Sequence, residues 1–198
     1  MSSLTRSQAF LVAMAGLLPF QTKSDIEAGN AQFTDADQYL RIAVTGGAGI
    51  VELIDSTTEK KVGTTNWDKN KLPSGVNIAL ERIRAGWASS DFSYGETNPA
   101  AVVYTNKIGN IPAALLNADL VITQEDKPVV ELPMQRLFSA ADSNKPVGLE
   151  DAYVLESLRL IKEDSAVGIQ IKFPKGLTLS GANYFFELHL IGTKTGKR

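Results

Sequence analysis

Cysteine is absent and histidine occurs once, at His189, in a chain of 198 residues. The first absence removes disulfides, thiolate metal ligands and cysteine nucleophiles, and the second excludes multi-histidine metal sites. Charge of one sign is also lacking. Twenty Lys and Arg against 22 Asp and Glu leave a formal charge of -2, with no global footprint for nucleic acid or an anionic membrane. No G-x-S-x-G occurs, so the strained elbow of a serine nucleophile is missing too. The expectation is a non-enzymatic chain: no catalytic residues, metal, cofactor or small-molecule substrate, and no sequence-specific contact with nucleic acid. The local basic cluster Lys194, Lys197 and Arg198 reads as a solvated terminus, with a phosphate polymer as the alternative partner.

What is present is a globular composition, 43% hydrophobic and 21% charged, in a length that one core can serve. The longest apolar stretch, AFLVAMAGLLPF over Ala9 to Phe20, is too short to span a bilayer. Ala13-Met14-Ala15 looks like a signal-peptidase site, but the expectation is that the segment is retained. Leu4, Leu11 and Leu18, with Gln8 and Ala15 between them, recur at helical spacing and predict a helix over residues 4–18 ended by Pro19. Such a helix either covers the domain's own core or forms an arm on a neighbouring subunit or a membrane surface. A polar connector, Gln21 to Asp37, follows. Residues 1–38 are thus read as helix and connector arm, and residues 39–198 as the body.

The body carries the two-residue period of strands. Leu40, Ile42 and Val44 alternate with Arg41, Ala43 and Thr45, and Gly46-Gly47-Ala48-Gly49 suggests a hairpin into Ile50–Ile54. Leu116 to Thr123 alternates and pairs with Val129 to Leu132 through the turn residues Gln124 to Lys127. Val167, Ile169, Ile171 and Phe173 form one face of a strand; Tyr184, Phe186, Leu188 and Leu190 form one face of another. Residues 77–88 read as strand or helix, with strand favoured; 149–162 stays undecided between the two, leaning to strand. Seven or eight such segments without βαβ alternation indicate an all-β, antiparallel two-sheet β-sandwich with an N-terminal helical arm.

Two features invite sharper readings. IAVTGGAGIVELI resembles the opening of a dinucleotide-binding unit, but Glu52 stands where the third glycine belongs and no helix can develop before Asp55-Ser56. In the last strand, Phe185 and Ile191 flank His189 on the face opposite Tyr184 and Phe186, so both faces are apolar and something must cover the second. That cover is the N-terminal helix or another subunit, with His189 at a surface or an interface. Trp67 reads as pinning its loop to the core, with ligand binding as the alternative.

The segments NKLPSGVNIALERIRAGWA, NADLVITQEDKPVVELPMQRLF and NYFFELHLIGTKT, within a rhythm of arm, strands and long loops over residues 40–193, carry a resemblance. The chain resembles jelly-roll capsid proteins of tailless, membrane-containing icosahedral phages. The resemblance implies a single jelly roll in a virion, assembled with copies of itself and other virion proteins, with the arm or the basic C-terminus facing inward. It carries over no catalytic residues. The expected assembly contacts are Phe10, Leu11, Leu17 and Leu18 in the arm and Phe185, His189 and Ile191 in the last strand. The alternative is a carbohydrate- or ligand-binding module, cytoplasmic or extracellular, with Trp67, Trp87, Tyr94 and Tyr104 as a stacking platform in loops.

Overall fold

The computed structural model describes residues 5–44, 49–90, 97–138, 152–177, 179 and 183–197. Helices α1 (Arg6–Ala13) and α2 (Phe20–Glu27) flank a 3-10 turn, Ala15–Leu17. Strands β1 (Ala31–Val44), β2 (Ile50–Glu52) and β3 (Ile78–Ser90) follow. Then come α3 (Ala113–Leu116), the strands β4 (Asp119–Gln124), β5 (Lys127–Pro133), β6 (Tyr153–Ile161) and β7 (Val167–Lys172), and the long β8 (Asn183–Lys197).

Two four-stranded antiparallel sheets result, in the orders β1-β8-β3-β6 and β2-β7-β4-β5. Four of the pairings are nested: β1 with β8, β2 with β7, β3 with β6 and β4 with β5. This is the arrangement produced when one long hairpin of strand pairs is rolled into two layers, and the chain is a single jelly roll. Only the innermost pair is a tight hairpin. Its turn residues Glu125 and Asp126 both take positive φ, 52° and 61°, the geometry that matches the right-handed strand twist. The core between the sheets holds Leu40, Val44, Trp67, Ile83, Trp87, Leu120, Ile122, Ile169, Ile171, Phe186 and Leu188.

Several sequence expectations change. The helix expected over 4–18 stops at Ala13 and passes through the 3-10 turn; Pro19 begins α2 rather than ending a helix, because its missing N–H costs nothing at a helix start. The connector Gln21 to Asp37 is α2 plus the first half of β1, and the boundary at 38/39 falls within that strand. Residues 31–38 pair with β8 from Ala31↔Lys197 to Gln38↔Leu190. The β1–β2 hairpin does not form, since β1 matches β8 along its whole length while β2 offers three residues and joins β7 in the other sheet. Lys194 and Lys197 lie within β8, which runs on to Lys197.

The ambiguity at 77–88 has a structural cause. A bulge between Leu80 and Arg82 shifts the register of β3 against both neighbours. Ile78 and Leu80 face the core before it, and Ile83, Ala85 and Trp87 face the core after it, so the alternation changes parity and imitates helical spacing. The undecided 149–162 segment contains β6, and Leu155 and Ile161 face the core.

The bulge also explains a glycine. Gly192 lies opposite Leu80, and a Cβ built there would collide with the Ala79 carbonyl oxygen. Gly192→Ala must push backbone apart in a central strand. The expected loss is about 3 kcal/mol in urea unfolding; a change under about 0.5 kcal/mol, within the range of a neutral surface substitution, would contradict the tight approach.

Candidate functional site

The first candidate surface is the arm. Thr5 and Gln8 form a capping box that starts α1: the Thr5 hydroxyl accepts from the Gln8 N–H at 3.3 Å and Gln8 Oε1 accepts from the Thr5 N–H at 3.0 Å. Ser7, Leu11, Ala15 and Leu18 then form a buried stripe at helical spacing. α1 packs on β3, β6 and β8, and the hydroxyls of Ser7 and Thr193 share a buried hydrogen bond of 2.7 Å. Arg6 donates to the Glu156 carbonyl on the sheet edge.

A second anchor lies at α2. The Glu163 carboxylate, 5% exposed, accepts from the Thr22 hydroxyl at 2.6 Å, the Asn77 amide at 2.9 Å, the Ser74 hydroxyl at 3.3 Å and the Gly75 backbone N–H. Burial pushes this carboxyl up, but the Gly75, Thr22 and Asn77 hydrogen bonds outweigh it and hold it below the usual carboxylate range. The arm is therefore docked on its own sheet by apolar contacts at α1 and by a buried carboxylate at α2. Three large apolar side chains of the arm face outward: Val12 is 41% exposed, Leu17 65% and Phe20 84%.

The second candidate is a charge cluster on the other face of β8. Register places Glu187 between Arg41 of β1 and Gly86 of β3, and His189 between Tyr39 and Arg84. Arg41 Nε donates to Glu187 at 2.7 Å, and its guanidinium also reaches the Gly63 carbonyl at 3.0 Å and lies 5.6 Å and 5.5 Å from the ring centres of Tyr39 and Tyr104. Arg84 stands 3.8 Å from the second Glu187 oxygen. His189 Nδ1 meets Asp37 at 2.8 Å, while Nε2 is 3.3 Å from Glu187, within ion-pair range but out of line for a hydrogen bond. The imidazole stacks on Tyr39 with ring centres 5.8 Å apart.

Burial alone would lower the His189 pKa; its contacts with Asp37 and Glu187 win and raise it above the ordinary histidine value. Burial would likewise raise Glu187, but the nearby His189 imidazole and its hydrogen bond from Arg41 hold it below the usual range. Tyr104 is pushed well above the ordinary phenol value by burial and by Glu187. A carboxylate at each imidazole nitrogen favours the imidazolium, which cannot accept a proton from a nucleophile. The arrangement is suited to clamping β1, β3, β8 and the loop around Gly63 together. Among the described residues, no three His, Asp or Glu are placed to hold a metal ion, and no helix is long and apolar enough to cross a membrane.

The expected contact residues divide. Leu11, Leu18, Phe185, His189 and Ile191 are buried in the chain's own fold; Phe10 is half-buried and Leu17 is exposed. His189 is thus interior, not at a surface, because the arm and the charged neighbours cover that face. Trp67 is in the core, as its pinning role required, and Trp87 lies in β3 with its ring against Tyr184. Neither is available for a stacking platform, and Tyr94 lies outside the described residues. The sequence reading missed Asp37, Arg41, Arg84, Glu187 and Glu163. The available signal was Glu187 and His189 set between Phe185 and Ile191, since charge within an apolar strand face requires partners from adjacent strands.

No protein-family model, no curated protein and no solved structure matches the chain.

The pKa directions set a stability window. His189, raised in the fold, contributes fully below its unfolded value of about 6.5, and that contribution is lost as pH rises through the folded value. Glu187, lowered in the fold, contributes above its unfolded value of about 4.3 and loses the contribution as pH falls through the folded value. The cluster is therefore most stabilising between those two unfolded values. Urea unfolding across pH should show His189→Gln removing the alkaline decline in stability. Glu187→Gln should cost about 2 kcal/mol near pH 6. An unchanged alkaline limb in His189→Gln would exclude His189 as its source.

Proposed function

We propose that this chain is a self-assembling structural protein, a jelly-roll building block of a closed shell, and specifically a capsid or other component of a phage virion. The observation that carries the reading is the pairing of a jelly-roll body with an arm fixed on its own sheet, which still presents Leu17 at 65% and Phe20 at 84% exposure. A shell unit needs a rigid body, and two sheets closed over one core supply it. It also needs contacts held in a defined position. Because Leu11, Leu18 and Thr22 are anchored beneath, Leu17 and Phe20 are presented at a fixed place rather than on a loose tail. Covering a Leu or Phe side chain contributes about 2–3 kcal/mol, so a few repeated contacts per subunit suffice for assembly. The partners are copies of the chain and other virion proteins, with a membrane surface as a further contact of the arm.

Size-exclusion chromatography with light scattering tests this reading. The wild-type chain should form oligomers whose mass rises with concentration, and Leu17→Ser with Phe20→Ser should shift them toward monomer. Thermal stability should change little, because both side chains are exposed within the chain. A wild-type protein that is monomeric at all concentrations would refute self-assembly.

A further inference from the structure

Beside β1 and the long β2–β3 connection lies a cavity of about 330 Å³ whose wall includes Gln38, Lys60, Trp67, Asp68, Lys71 and Lys194. Lys194 is on the same face of β8 as the core residues Leu188 and Leu190, fixed by pairing with Thr34 on one side and Ile78 on the other. It is half-buried in the wall of the cavity. Among the described residues, neither Lys194 nor Lys60 nor Lys71 forms an ion pair.

We propose that this cavity is a binding site for phosphate groups. Three cations against the one carboxylate of Asp68 give it a positive local charge in a chain that is acidic overall. The cations are all lysine. Flat carboxylates are matched best by the arginine fork, whereas lysine binds phosphate as a point charge from several directions. The volume exceeds what a single small ion fills and falls at the lower end of the range for organic ligands, which suits a polyphosphate or a short run of phosphodiester. Lys194 supplies the inner charge and Lys60 and Lys71 the outer ones. The site is independent of the assembly reading, and either can fail without the other.

Isothermal titration calorimetry of the full chain with inorganic tripolyphosphate, and separately with single-stranded oligothymidine, tests the proposal. At least one probe should bind saturably, and Lys194→Met should weaken it by about tenfold. The slope of log affinity against log salt should fall by about one for the oligonucleotide. Binding of tripolyphosphate alone identifies a free polyphosphate as the ligand; binding of the oligonucleotide identifies a nucleic-acid backbone. Lys60→Gln, at an exposed loop position, should also weaken binding and serves if Lys194→Met disturbs folding. The absence of saturable binding by both probes, or wild-type affinity in both variants, would overturn the assignment.

Discussion

The structure depends on β8 having two buried faces. As the second strand of its sheet it pairs with β1 and β3 along most of its length, and its inner face, Phe186, Leu188 and Leu190, fills the core between the layers. Its other face carries Phe185, Glu187, His189, Ile191, Thr193 and Thr195, all less than a tenth exposed. A sandwich gives each sheet only one covered face, so this second face needs its own cover. Two devices provide it. The arm covers one end, where Ser7 meets Thr193, and paired charges fill the next stretch, where Glu187 and His189 meet Arg41 and Asp37.

These two devices have different energetic characters. Burying Leu11 and Leu18 removes apolar area from water and is favourable without directional demands. In the charge cluster desolvation opposes the Coulombic gain, the contacts outweigh it, and removing one partner is costly because it leaves a buried charge unpaired. The cluster therefore fixes position: only the observed register brings Arg41 opposite Glu187 and Tyr39 opposite His189. A one-residue slip would turn Phe186 and Leu188 outward and the charges inward. Glu163 acts similarly on α2, where a buried carboxylate supplied with four donors locks the second helix to the body.

The strands were legible where the pattern was uninterrupted. Val167 to Lys172 alternates in burial as it does in sequence, and the Glu125-Asp126 turn identified its hairpin. Legibility failed where long-range pairing decides. The bulge at Leu80/Arg82 reverses the parity of β3, and no local rule places it, since it follows from the two neighbours of that strand. The glycines after Val44 suggested a hairpin because local turn chemistry says nothing of a better partner more than a hundred residues away in β8. The charge cluster was hidden for the same reason: Asp37 and His189 meet only through the β1–β8 register.

The sequence alone determined that this is an antiparallel β protein with a short N-terminal helix, because the two-residue period, the breakers and the apolar stripe are local properties of the chain. It also determined that β8 would be covered on both sides, since the apolar residues on its two faces are visible in order. What provides that cover was a tertiary decision. The chain's own arm takes the place that a neighbouring subunit also fitted, leaving Leu17 and Phe20 outside and Lys194 beside an open cavity. The reason is physical: periodicity specifies which faces must be buried, while the choice of partner depends on which distant segments reach them with matching shape and charge.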